Sequence, residues 1–191
     1  DPFLTDRSFG LGIRAIEILA SGQPTGETGL RSFAGPILSR VTSANVGRLR
    51  VEDVIVGDSL SNELGLGLEL QSLLAEVLEQ SQEQLSWSGT IGLYSLDEAA
   101  TSRAAAVLES VFPGLEVRSN HDHVASDPLR AMTTNVDLMI VATKVAKHAA
   151  TDAIREARGD LPLVYASGKG SSSIVRAALE WIASRGVARA A

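Results

Sequence analysis

Asp137-Leu138-Met139-Ile140-Val141-Ala142 holds five apolar residues in unbroken succession. A strand with one wet face alternates apolar and polar residues, whereas a short uninterrupted run of this kind fits a strand covered on both faces. Such a strand is the centre of a parallel sheet. Outward from it, Thr90 to Tyr94, Leu115 to Arg118 and Leu161 to Ala166 read as three more strands, the last starting at Pro162, which an edge tolerates. Asp97 to Val111, a short segment near Leu129 to Thr133, Ala146 to Arg158 before Gly159, and Ser172 to Ser184 carry helical signals between and after them. This alternation predicts an α/β domain over residues 87–191, a flavodoxin- or Rossmann-like parallel sheet of about four strands with right-handed crossovers. Thr90 to Tyr94 and Asp137 to Ala142 are expected as adjacent parallel strands, with Leu93, Leu138, Ile140 and Val164 in the core.

Residues 1–86 have a different rhythm and read as a mainly helical accessory or dimerisation region. Phe9, Ile13, Ile16 and Leu19 form one helical stripe. Glu63 to Leu85 is expected as a single long helix that buries Leu66, Leu70, Val77 and Leu78 against another helix or a second copy of the chain. Between them Arg48 to Gly57, with Leu49, Val51, Val54, Ile55 and Val56, looks like a short strand, and Gly22, Pro24, Gly26 and Gly29 mark an earlier loop. The net charge of -6 is concentrated here: residues 1–86 hold 6 Arg against 12 Asp and Glu, while residues 87–191 balance 11 basic against 11 acidic side chains. The second half is therefore neutral overall, so nucleic acid is not excluded as a partner.

The 191 residues, 45% hydrophobic with 17 Gly and 6 Pro, have the composition of an ordinary globular protein. No apolar run approaches the roughly 20 residues that span a bilayer, and Asp1-Pro2-Phe3-Leu4 lacks the segments of a signal peptide, so a cytoplasmic protein is expected. A start on Asp1 rather than Met fits a fragment of something longer. With no Cys, disulfides, thiolate metal sites and cysteine nucleophiles are excluded.

Ligands of open parallel sheets bind outside the carboxyl ends of the strands, where loops meet helix N-termini. Four loops meet that description: Ser95-Leu96, Ser119 to Val124, Thr143 to Lys147, and Ser167 to Ser173. The chain has three Lys (Lys144, Lys147, Lys169) and three His (His121, His123, His148), and all six lie in these loops or on the helix turn that follows. Lys normally decorates solvated helix faces, so this clustering points to a shared electrostatic task. Ser167-Gly168-Lys169-Gly170-Ser171-Ser172-Ser173 has the parts of an anion cup, in glycines, hydroxyls and a helix dipole behind them, although its spacing is not that of a Walker loop. A serine N-cap is the plainer reading of the same residues. With Ser95, Asn120, His121, Thr143, Lys144, Lys147 and His148, these make the candidate ligand-binding set. His148 near a helix start is the candidate acid or base, and Ser171 backed by it a conceivable nucleophile. A three-histidine metal site can be drawn, but no spacing is diagnostic and the lysines argue for an anion. The residues do not identify a cofactor.

The segment Val136 to Thr143, then Lys147-His148, then Leu161 to Tyr165 and Gly170 to Ser173 before an apolar helix, resembles an uncharacterised bacterial Rossmann-like family, a domain of unknown function. The resemblance covers about residues 88–182. It places the family's His on His148, its serine pair on Ser172 and Ser173, and its polar turn on Asn120 to Asp122; Lys147 stands where the family usually has Ser. It implies a module of larger bacterial proteins, some associated with defence against foreign DNA. Three functions follow as expectations: a binding or sensing module for a phosphate-bearing small molecule, a nucleotide above all; an enzyme acting on a nucleotide or phosphoester; or a structural module contacting protein or nucleic acid.

Overall fold

Phe9, Ile13 and Ile16 are fully buried along one side of α1 (Asp6–Gly22), the first helix of a computed structural model that describes residues 4–22, 27–81, 87–142 and 148–185. The chain divides into two units with the boundary between residues 84 and 85. In the first, α1 is followed by α2 (Glu27–Leu38), a 3-10 turn (Val46–Arg48), α3 (Val51–Leu64) and α4 (Leu70–Ser81). Leu19, the last residue of the expected stripe, is exposed, and Gly29 lies inside α2 rather than in a loop.

Arg48 to Gly57, expected as a strand, is instead the end of the 3-10 turn and the start of α3. The reason is enclosure. α3 packs against α1, α2 and α4, and a Cβ on Gly57 would come within 3.2 to 3.3 Å of Ile13, Leu38 and Leu70 side chains. A helix surrounded in this way has no wet face to show as a polar stripe, so Val54-Ile55-Val56 imitates a buried strand.

The single helix expected over Glu63 to Leu85 is broken. Gly65 adopts φ 63° and caps α3 through its N–H to the carbonyls of Ser61 and Asn62, and Gly67 follows at φ 67°. α4 then starts at Leu70, where the Asp58 carboxylate, reaching across from α3, accepts the Gln71 amide at 2.9 Å. One helix thus caps the next. Leu70 and Leu74 are buried and Leu66 half-buried. The Val77 and Leu78 side chains and Leu85 lie outside the described residues.

In the second unit the strands β1 (Ser88–Tyr94), β2 (Gly114–Asn120), β3 (Leu138–Ala142) and β4 (Leu163–Ala166) form one sheet in the order β2-β1-β3-β4, with every pairing parallel. β1 and β3 are neighbours, as the flavodoxin-like order requires. β3 is buried at all five positions. Its alternate residues serve two cores: Met139 and Val141, with Tyr94, pack against Leu129 and Met132 of α6 (Asp127–Asn135) and Ala150 and Ile154 of α7 (His148–Arg158). Leu138 and Ile140 point to the other face, where α5 (Glu98–Val111) and α8 (Ser171–Ser184) pack together. Leu93, Leu138 and Ile140 are buried as expected. Val164 is only half-buried, because β4 is an edge strand.

At the start of β3 and β4, Arg158 of α7 is 1% exposed. Its guanidinium donates to the carbonyls of Thr133 and Val136, both at 2.8 Å, and to those of Asp137 and Pro162. The carbonyls of Thr133, Val136 and Asp137 lie at the end of α6 and the start of β3, whereas that of Pro162 also accepts the Met139 amide at 3.0 Å. Among the described residues no helix is long and apolar enough to cross a membrane.

Candidate functional site

Strand pairing brings Asn120, Tyr94, Val141 and Tyr165 into one row across the sheet. The four strands therefore end level, and the loops expected to carry function leave from one edge. Adjacent strands lie about 4.8 Å apart, so the ends of β2 and β4 are separated by roughly 14 Å. No single phosphate touches both.

On the β1–β2 half, the polar side chains mostly hold the loops themselves. Ser95 is fully buried, and its hydroxyl accepts the Asp97 amide at 3.1 Å. Asp97 in turn accepts from the Ala100 amide at 3.0 Å as the N-cap of α5. Asn120 and Asp122 clasp one another: the Asn120 amide donates to the Asp122 carboxylate at 3.0 Å, and its oxygen accepts the Asp122 N–H at 2.9 Å. Ser126, the N-cap of α6, also donates to that carboxylate. The Ser126 hydroxyl first, then the Asn120 amide, hold the Asp122 carboxyl below its ordinary pKa. Beneath the loop, the Tyr94 hydroxyl donates to the Asp122 carbonyl at 2.9 Å. The same buried phenol has its pKa pushed up by desolvation and then by the Asp122 charge.

His121 is different. Its Nδ1 lies 2.8 Å from the carbonyl oxygen of Ser95, and a carbonyl can only accept, so Nδ1 carries the proton. In the neutral ring, Nε2 is then the lone pair. The imidazole is half-buried and anchored in one orientation, while His123 is exposed.

The β3–β4 half has the opposite electrostatic character. α5 and α6 start with Glu98 and Asp127 in their first turns, behind side-chain caps, whereas α7 and α8 have no acidic residue there. The N-cap of α8 is Gly170, which has no side chain to offer. The serine N-cap is thus not what the turn contains: Ser171, Ser172 and Ser173 are the first three helical residues, all buried. Before them Gly168 is buried, Gly170 half-buried, and Ser167 and Lys169 exposed. Thr143, Lys144, Lys147 and the side chain of His148 lie outside the described residues, although His148 itself opens α7.

The structure therefore brings Ser95, Asn120 and His121 together at one end of the edge and Ser167 to Ser173 together at the other. Asp122 and Ser126 organise the first group; the Asn-x-Asp spacing of a self-bonded turn was their only local signal. Among the described residues no group of three or more His, Cys, Asp or Glu is arranged to hold a metal.

A family model matches residues 3–177 and describes them as DpdD-like. That span includes both units, so the helical first unit belongs to the same family match as the sheet. Neither a curated protein nor a solved structure matches the chain.

Proposed function

The chain belongs to the DpdD-like family, and on that premise we propose that its second unit binds or senses an anionic, phosphate-bearing small molecule, a nucleotide above all, at the carboxyl ends of the strands. The observation that carries this reading is the division of the edge. A phosphate is repelled from the starts of α5 and α6, where Asp97, Glu98, Asp122 and Asp127 gather, and favoured at α8, where first-turn amides, the helix dipole and Lys169 act together. A ligand with a phosphate at one end and hydroxyls or amines at the other suits the roughly 14 Å between the ends of β2 and β4. The phosphate lies by Ser167 to Ser173, and the nucleoside reaches toward Asn120 and His121; Lys144 and Lys147, the further cations of the sequence set, lie outside the described residues. A nucleotide ligand makes the cytoplasm the compartment this reading calls for, and the resemblance supports a module of a larger bacterial defence-related protein. A second copy of the chain or the parent protein's other domains are its proposed partners.

Native mass spectrometry and metabolite extraction on the purified protein name the ligand directly. In calorimetric titration with that ligand, Lys169→Ala is expected to weaken binding about tenfold or more, since a charged hydrogen bond contributes roughly 1.5 to 3 kcal/mol. Its thermal unfolding should be unchanged, because Lys169 is exposed. Equal binding by the parent, Lys169→Ala and Lys144→Ala would return this edge to scaffold.

A second reading, an enzyme acting on the nucleotide or a phosphoester, is favoured by the anchored ring of His121. An imidazole with Nδ1 held by a carbonyl presents Nε2 as a base, or as an acid once protonated, and His148 is the other candidate. Turnover of a nucleotide panel that disappears in His121→Gln while ligand binding persists would establish it.

A further inference from the structure

Both tryptophans of the chain, Trp87 and Trp181, line one cavity of about 730 Å³. It opens where the strands begin, beside Ser88, Asp137 and Pro162, at the opposite edge of the sheet from the loops discussed above. The two indoles meet edge to face, with centroids 5.9 Å apart and planes at 89°. Arg185 lies over Trp181, its Cζ 4.8 Å from the ring centroid. A mere hydrophobic plug would bury its tryptophans, whereas both of these are only half-buried.

The wall around them is built. Gly89, at φ 148°, leaves room that a Cβ would fill: that atom would stand 2.9 Å from the Trp87 ring and 2.8 Å from Asp137 Oδ2. Asp137 Oδ2 is itself held by the Thr90 amide at 2.7 Å. Below, Arg158 occupies the carbonyls of Thr133, Val136, Asp137 and Pro162. Those main-chain acceptors already serve Arg158, and the polar side chains lining the cavity are those of Ser88, Thr134, Asn135 and Asp137. The volume is that of a small-molecule site, which typically spans roughly 300 to 1,000 Å³.

We propose that this cavity binds the base of a nucleotide, stacked on one indole and edge-on to the other, with its ring N–H or exocyclic amine donated to Asp137 and its phosphate met by Arg185. Flat heterocycles stack on indole whatever their identity, and an exposed guanidinium beside the ring supplies the partner for the attached anion. The base comes either from a free nucleotide or from a single-stranded nucleic acid. This assignment does not rest on the strand-end site.

Because both tryptophans are in the cavity, their emission reads it directly in the intact chain. Adenosine, adenosine monophosphate and a short single-stranded oligonucleotide are titrated in turn. Saturable quenching is expected, with the monophosphate binding about tenfold more tightly than the nucleoside, the difference one charged contact makes. Arg185→Gln should erase that difference, and the exposed position of Arg185 makes the variant harmless to folding. Trp181→Phe should weaken the nucleoside several-fold with the fold intact by circular dichroism. Tighter binding of the oligonucleotide than of the monophosphate assigns the base to a strand, and equal binding to a free nucleotide. Quenching that disappears in Lys169→Ala would mean that the signal comes from the other edge and overturns the assignment. So would the absence of saturable quenching by all three.

Discussion

α3 and β3 occupy the same position in their respective units: each is the element its neighbours surround. They satisfy their polar groups in opposite ways. An enclosed strand gives its amides and carbonyls to the strands beside it, and what the ladder misses collects at its ends, where Arg158 takes up the Asp137 carbonyl together with those of Thr133 and Val136 at the end of α6. An enclosed helix satisfies its backbone internally, so the polar groups it brings inside are side chains. Asp53, Asp58, Ser59 and Ser61 are all buried on α3, and Asp58 serves a neighbour by capping α4. The strand depends on one long-range donor, the helix on acceptors it carries itself.

The sharpest way to break the comparison is at Arg158. Arg158→Ala takes the guanidinium from the carbonyls of Thr133, Val136 and Asp137, while that of Pro162 keeps the Met139 amide, and loss of at least about 3 kcal/mol is expected, because each buried acceptor left unpaired costs roughly 1 to 3 kcal/mol. Urea unfolding followed by tryptophan emission measures this, since Trp87 and Trp181 both lie in the second unit. A loss under about 1 kcal/mol would mean that water replaces the guanidinium and that the strand is not dependent on it. Next in size is Gly57→Val, which forces a branched side chain between Ile13, Leu38 and Leu70. Overpacking of this kind costs typically about 1 to 3 kcal/mol, and far-ultraviolet circular dichroism during thermal melting should show the helical unit destabilised. An unchanged melt would show that α3 is less tightly enclosed than β3.

Smaller still is the effect of Asp58→Ala, about 1 kcal/mol, the usual value of a capping acceptor. Its pH dependence sharpens the contrast. Burial, outweighing the Gln71, Leu70 and Asn62 bonds, raises the Asp58 carboxyl above its ordinary 3.8. The folded protein therefore holds this proton more tightly than the unfolded chain does. The proton-linked stability is fully present below about pH 3.8 and is lost as pH rises through the folded value. Asp58→Asn should flatten that slope in melts recorded from acid to neutral pH. An unaltered slope would assign it to other groups.

The sheet was readable because its evidence is local. Asp137 to Ala142 is too short for a helix and flanked by turn signals, and the strands around it alternate with helices at regular spacing, which leaves few topologies. Arg48 to Gly57 has the same β-branched apolarity, but it continues into a 14-residue helix and contains Glu52 and Asp53, acids suited to a helix's first turn. Those two residues were the signal that outweighs the apolar run. Gly65 and Gly67 were likewise the stop signal inside Glu63 to Leu85. At the candidate site, the sequence placed Ser95, Asn120, His121 and Ser167 to Ser173 on one edge because strand direction dictates which loops share it. It did not distinguish ligand-facing groups from those that tie the loops together, since Ser95, Asn120 and Asp122 look alike in either role.

By itself, then, the sequence determined that the second unit is a parallel sheet, that its first and third strands are neighbours, and which loops leave from its carboxyl edge. All three follow from periodicity and chain order, which need no knowledge of what packs against what. The tertiary structure alone decided that Asp58 caps α4, that Arg158 closes the strand starts, and that Trp87 and Trp181 share a cavity. Each of these is a contact between residues distant in sequence, and a buried polar or aromatic group finds its partner only when the elements carrying both have already been brought together.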